Sequence, residues 1–209
     1  YKDECESYDG STWTEVADLN TARFVTMGVG TSTAALCFGG LKSPSNALSN
    51  NSEEWDGSSW TAGNAMNTAR ESTGQAGIQT AALAYGGYTT TTVTTTESYD
   101  GTNWTAGTAI NTARFTLGGA GIQTAALAFG GDTSAPAMSA HTELYDGSTW
   151  TEVADLSTAR FHLNEFGPGT TNAFAAGGGT PGVTGVTEEF NQTAMTVTAG
   201  AWASGNNMN

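Results

Sequence analysis

Four arginines, Arg23, Arg70, Arg114 and Arg160, recur at intervals of 44 to 47 residues. A guanidinium offers five hydrogen-bond donors in a rigid fork, so four of them around one axis could hold an anion. An acid keeps the same period, however: Glu53, Glu97, Glu143 and Glu188, preceded by Glu6. Acid and base in equal phase pair with each other in every repeat that has an Arg, or the base pairs with the nearby Asp of a turn, and either use is architectural. Trp13, Trp60, Trp104, Trp150 and Trp202 could stack on sugars, yet each stands at one fixed place in the repeat, which assigns them to packing. The two histidines, His141 and His162, fall at different places in the repeat. His162 and Glu165 both replace small residues, but three residues apart on a strand they point to opposite faces. An Asp-Gly pair recurs at 9, 56, 100 and 146, but one carboxylate per turn is far from the roughly six oxygens a calcium loop needs. No Ser-His-Asp arrangement, phosphate loop or zinc-ligand spacing is present. The expectation is no enzyme, no catalytic residue, no metal and no cofactor.

The elements that must position these residues follow from the repeat. Arg to the first glycine of a Gly-Gly pair is 16 residues in three copies (23 to 39, 70 to 86, 114 to 130) and 17 in the last (160 to 177). An aromatic residue, Tyr8, Trp55, Tyr99 or Tyr145, precedes Trp13, Trp60, Trp104 and Trp150 by five. Each cassette reads as four short strands: strand a after the Arg (Phe24–Gly30 in the first full copy), strand b ending at Gly-Gly (Ala34–Phe38), strand c carrying the Glu (Glu53-Glu54-Trp55), and strand d from the Trp (Trp60). Asp-Gly between c and d suits a tight hairpin in which both residues take positive φ. Strand b is apolar without alternation, which predicts burial of both its faces. Strand a is rich in Gly, which suits the crowded strand nearest an axis. Gly, Thr and Ser recur too often for a helix. The variable segments are 41–51, 88–95, 132–141 and 180–186; in the second, the threonines around Val93 either extend the strands into a hairpin or form a polar loop.

Twenty acidic residues against six basic ones give a net charge of −14, so the surface repels nucleic acid and anionic membranes. Four of the six cations are the periodic arginines, leaving Lys2 and Lys42. Cys37 takes the place of Ala84 and Ala128, so it reads as a small buried residue and not as a disulfide partner of Cys5. No apolar run approaches a membrane span of about 18 residues, and the first residues do not resemble a signal peptide. The chain opens with Tyr and not Met, the expectation for an excised or processed piece.

Gly-Gly ending strand b, an acid and an aromatic in strand c, and Trp after a short hairpin together resemble the kelch repeat, a four-stranded blade of a β-propeller. The resemblance spans residues 4–209 and implies an all-β propeller in one domain. Its boundaries are an outer half blade in 1–20, holding strands c and d, and full blades in 21–67, 68–111, 112–157 and 158–209. In the last copy Phe190-Asn191 replaces Tyr-Asp and the step to Trp202 is twelve, but the residues from Trp202 match those from Trp60. Kelch rings close by joining strands from both chain ends in one blade, so one a-b pair after Asn209 would complete the half blade. A five-bladed ring is the smallest that uses every strand; six or seven blades in a longer chain, or four with a spare hairpin, are the alternatives. The wording of the copies, as in Tyr-Asp-Gly-Thr-Asn-Trp-Thr from Tyr99, is similar to kelch-like arrays in virion structural proteins of marine tailed bacteriophages.

That resemblance implies a structural or binding module of a virion or other extracellular assembly, a decoration, fibre or receptor-binding element. Its partners would be other virion proteins or a host surface receptor, protein or glycan. Contacts are expected from Leu41, Lys42, Asn46, Tyr88, Thr90, Val93, Asp132, His141, Pro181 and Val183. Two alternatives use the same ring: a lectin or carbohydrate-active enzyme, and an intracellular kelch adaptor. Galactose oxidase, a kelch-like copper enzyme, needs two His, two Tyr and a Cys-Tyr crosslink that these residues do not reproduce. No oligomerisation domain of the adaptor kind accompanies the repeat.

Overall fold

The computed structural model describes residues 3–134, 137–191 and 201–204. Among them the chain is all-β. The strands are β1 (Cys5–Tyr8), β2 (Trp13–Val16), β3 (Arg23–Phe24), β4 (Met27–Thr31), β5 (Ala34–Phe38), β6 (Leu41–Lys42), β7 (Ala47–Leu48), β8 (Ser52–Trp55) and β9 (Trp60–Gly63). Then come β10 (Gly74–Ile78), β11 (Ala81–Tyr85), β12 (Thr96–Tyr99), β13 (Trp104–Gly107), β14 (Gly118–Ile122), β15 (Ala125–Phe129), β16 (Thr142–Tyr145) and β17 (Trp150–Val153). The last four are β18 (Asn164–Gly169), β19 (Asn172–Ala176), β20 (Thr187–Asn191) and β21 (Ala201–Ser204).

Four antiparallel four-stranded sheets result, β4-β5-β8-β9, β10 to β13, β14 to β17 and β18 to β21, with β1 and β2 forming a separate hairpin. The fourth sheet keeps the register of the others despite its long c-d connection, with Phe190 opposite Trp202 as Tyr145 is opposite Trp150. The first strands of successive sheets, β4, β10, β14 and β18, pack side by side and make the arrangement blade-like.

Strand b explains why. In β11, Ala82 and Ala84 belong to a core shared with Leu36 and Phe38 of the sheet before, while Leu83 and Tyr85 belong to one shared with Ala126 and Ala128 of the sheet after. In β15, Leu127 and Phe129 continue the pattern against Ala173 and Ala175. Successive residues of one strand thus enter successive cores, and every core lies between sheets. Small residues meet large ones across each boundary: a Cβ on Gly119 would collide with Tyr85 Oη and the backbone of Gln75. The second glycine of the first three pairs serves the same approach, since Gly40 N, Gly87 N and Gly131 N donate to the carbonyls of Arg70, Arg114 and Arg160 at 3.0, 2.7 and 2.7 Å. A Cβ on Gly39 would stand 2.7 Å from Arg70 O.

Two expectations need correction. Strand a is not continuous from Phe24. Val25 adopts a left-handed φ of 53°, which separates β3 from β4, and β3 pairs instead with β6 in a small sheet with β7. The Asp-Gly turns do not place both residues at positive φ: only Gly10, Gly57, Gly101 and Gly147 do. The aspartate acts through its side chain, Asp56 Oδ1 accepting from Ser58 N and Ser59 N, both at 2.8 Å.

Candidate partner-binding face

Each periodic Arg is fully buried and meets its Glu: Arg23 with Glu53 at 2.8 Å, Arg70 with Glu97 at 3.2 Å, Arg114 with Glu143 at 2.8 Å and Arg160 with Glu188 at 2.6 Å. Nη1 of Arg114 donates to the carbonyls of Gly130 and His141, at 2.9 and 2.6 Å, so one guanidinium ties the end of strand b to the start of strand c. Burial pushes the Arg70 guanidinium down to about 10, with Glu97 pulling it back up, so it stays charged at neutral pH. The second oxygen of the Glu is used as well. Glu143 Oε2 accepts from Asn111 N and Asn111 Nδ2 at 2.6 and 2.8 Å, and Asn20 and Asn67 treat Glu53 and Glu97 alike. The Nη atoms of the four arginines are paired in this way while each buried Nε has no partner among the described residues, and the described surface has one lysine or arginine cation, Lys42.

The residue after each Arg bridges to the residue after each Gly-Gly: Phe24 to Leu41, Glu71 to Tyr88, Phe115 to Asp132 and Phe161 to Gly179. Those partners fold back on Leu48, Thr92, Met138 and Val183. All four b-c connections therefore lie at the same end of their sheets. The next residue along, Val25, Ser72, Thr116 or His162, has a left-handed φ of 50 to 55° in every repeat. This conformation is uncommon for β-branched side chains. Two of its backbone amides are used between sheets, Thr116 N donating to Ser72 O at 2.8 Å and His162 N to Thr116 O at 3.1 Å. These residues surround a cavity of about 180 Å³, which Thr26, Thr73 and Gln75 also line.

The anticipated contact residues divide in this frame. Thr90 and Pro181 are exposed at loop tips, Asn46 is exposed in the β6-β7 turn, and Val183 is 97% exposed. Leu41 and Lys42 are half-buried in β6, and Val93 is half-buried with its amide donating to Gly87 O at 3.0 Å. Tyr88 is half-buried against Phe115 of the next repeat, ring centroids 5.5 Å apart. Thr92 Oγ1 donates to Thr133 O at 2.8 Å, joining the same two loops, so the second variable segment is a short bridged hairpin up to Thr92 and re-enters a strand at Thr96. Burial raises the Asp132 carboxyl, with nearby His162 opposing the shift.

His141 does not join the tips. It lies at the outer pair of strands, Nδ1 at 3.2 Å from Glu152 Oε1 and 3.7 Å from Asp155 Oδ2, while Asp155 Oδ1 accepts from Thr142 N at 3.1 Å. The three ligand atoms lie within 4.8 Å of one another, a spacing a divalent cation can bridge, but all three side chains are open to water and direct contacts of the ring nitrogen with the two carboxylates use the same atoms. Of the tryptophans, Trp104 packs on Phe38 of the preceding sheet and Trp150 on Tyr85, with centroids at 5.0 and 4.9 Å. Trp13 is 67% exposed, and the side chain of Trp202 lies outside the described residues, as does that of Glu165. Cys5 and Cys37 are free thiols.

Sequence reasoning missed two sets of residues, the left-handed positions and a pair of glutamines. Gln79 Nε2 donates to Ala35 O and Trp55 O of the preceding sheet at 3.1 and 2.7 Å, and Gln123 Nε2 to Ala82 O and Tyr99 O at 3.1 and 2.5 Å. Their signal was the repeated Gly-Ile-Gln-Thr phrase.

No known family matches the chain, and no curated protein matches it.

Proposed function

We propose that the chain is a non-enzymatic, kelch-like β-propeller that binds a partner through the rim of b-c loops, as a structural or receptor-binding element of a virion or other extracellular assembly. The blade-like sheets support the propeller, and a five-bladed ring remains the smallest that accommodates them with the β1-β2 hairpin. One observation carries the binding role. The four repeated Arg-Glu pairs are consumed inside the sheets, whereas the segments that differ from copy to copy lie at the same end of their sheets with Thr90, Pro181 and Val183 outward. An anionic surface with Lys42 as its lysine or arginine cation among the described residues favours a neutral or basic partner, a protein or glycan, over nucleic acid.

The test uses labelled protein against a panel of bacterial cell surfaces and a glycan array. The wild-type chain is expected to bind a subset, and a variant with residues 89–91 and 181–183 replaced by Gly-Ser segments of equal length is expected to lose that binding while melting as before. Equal binding by the folded loop variant removes the proposal.

A further inference from the structure

His141 immediately precedes β16, and its imidazole meets two acids of the hairpin that β16 forms with β17. Strand alternation puts the His141 side chain on the face of Glu143, two residues on, and Glu143 lies opposite Glu152. Nδ1 is accordingly 3.2 Å from Glu152 Oε1. Asp155 follows β17; its Oδ1 accepts from Thr142 N at 3.1 Å while its Oδ2 faces the ring at 3.7 Å. The backbone that carries the imidazole is fixed from both sides, His141 N donating to Ser139 Oγ at 3.0 Å and His141 O accepting from Arg114 Nη1 at 2.6 Å. One ring nitrogen and two carboxylate oxygens are thus gathered within 4.8 Å of one another.

The blade does not need these three residues. In the first and second full repeats Glu53 lies opposite Ala62 and Glu97 opposite Ala106, the register that Glu143 and Glu152 keep. There the places of His141, Glu152 and Asp155 hold Asn51, Ala62 and Ala65, and then Thr95, Ala106 and Ala109. The fourth repeat has Val186 at the place of His141. The residues from Trp13 to Leu19 repeat those from Trp150 to Leu156, both acids included, but Glu4 stands where the third repeat has His141. Two carboxylates held this close in a chain of net charge −14 repel each other, and a cation between them offsets the repulsion. Arg114, which Asp155 influences, gives its Nη atoms to Glu143 and to backbone carbonyls instead. The exposure of the three side chains leaves them free to close on an ion.

We infer that His141 Nδ1, Glu152 and Asp155 form a binding site for a divalent first-row transition ion of the Zn²⁺ type. One imidazole nitrogen and two carboxylate oxygens suit such an ion, whereas Ca²⁺ takes about six to eight oxygens and Mg²⁺ an octahedral shell of them. Three protein ligands leave a further position for water or for a donor from a partner. Bound there, the ion ties strands c and d together at the end opposite their Asp146-Gly147 turn, where the third b-c connection enters the sheet. The inference rests on one c-d hairpin and is independent of what the loop rim binds.

The test titrates the metal-free 209-residue chain with Zn²⁺ by calorimetry and reads the melting temperature alongside. Cys5→Ser and Cys37→Ala, which install the residues found at those places in other repeats, keep thiols from competing. One ion per chain and a higher melting temperature are expected, with excess Mg²⁺ unable to displace the Zn²⁺. His141→Asn and Glu152→Ala each install the residue of the first full repeat, so the metal-free melting temperature should stay near that of the parent. Each should weaken Zn²⁺ by more than the roughly 10- to 100-fold that follows loss of an outer-shell partner alone. Asp155→Asn, which keeps an oxygen for Thr142 N, should weaken it as well. Added Zn²⁺ should slow hydrogen exchange at residues 139–142 in the parent and not in His141→Asn. Zn²⁺ binding that these three substitutions leave unchanged overturns the inference, since the ion then sits elsewhere. Absence of saturable binding overturns it too, and would show that the ring nitrogen is engaged by the two carboxylates alone.

Discussion

A buried guanidinium is costly unless most of its donors are met, and the Nη atoms of Arg114 meet three carbonyls and one carboxylate, only its Nε lacking a partner among the described residues, while Glu143 divides its oxygens between Arg114 and Asn111. Removing the arginine strands a carboxylate that is 1% exposed and two strand-end carbonyls. Arg114→Ala is therefore expected to lower stability by about 3–5 kcal/mol, read by denaturant titration. Arg114→Lys should restore only part of this, because one ammonium cannot face Gly130 O, His141 O and Glu143 with the same reach as a planar fork. If Arg114→Ala kept full stability and instead abolished partner binding, the residue would belong to function and not to architecture. A different use of a carboxylate occurs where Tyr99 Oη donates to Glu54 of the preceding sheet; burial first, and then Glu54, pushes the phenol's proton affinity up, so this contact stays a hydrogen bond at neutral pH.

At the scale of the element, the c-d turn is built by a charged aspartate. Hydrogen bonds from Ser58 and Ser59 hold the Asp56 carboxyl at about 2, below its ordinary 3.8, and the carboxyls of Asp9, Asp100 and Asp146 are lowered by the same kind of contact. A depressed carboxylate contributes stability that is complete above its ordinary value and fades as pH falls through its folded value. The melting temperature of Asp56→Asn should accordingly lie below wild type from neutral pH down to about 3.8, with the gap closing near 2. A gap that persists unchanged below that point would show that the charge is not what the turn uses. These turns also mark the limit of what the sequence disclosed. Strand b at Ala34–Phe38 and strand d from Trp60 were legible because apolar runs and fixed spacing are local signals. The break at Val25 was not, because valine, like Ser72 and Thr116 at the same place in the next repeats, does not announce a left-handed backbone, and only His162 is of a type enriched there; bonding between sheets accompanies it. The loop rim was legible as variation. Its partition into exposed tips and half-buried staples such as Tyr88 was not, since that depends on Phe115 of the next repeat. His141 was read alone because Glu152 and Asp155 reach it only through the pairing of β16 with β17.

For the whole molecule, the decisive property is that its apolar cores lie between sheets, so each sheet is as stable as its neighbours make it. β11 and β15 are flanked on both sides, with Ala82, Tyr85, Ala126 and Phe129 at 0% exposure. The junction on the far side of the first sheet is thinner. Ser32 stands where Gln79 and Gln123 reach back across the later boundaries, and the Tyr8-Trp13 pair on the β1-β2 hairpin is 49% and 67% exposed where Tyr99 and Trp104 are 0% and 6%. Local opening should follow this gradient, since segments with little buried apolar contact open at lower free energy than the molecule as a whole. Native-state hydrogen exchange is expected to find the slowest amides in β11 and β15 and the fastest strand amides in β1 and β2. Equal protection of β1 and β15 would mean that the hairpin is held as firmly as an interior strand, which its single paired edge does not provide.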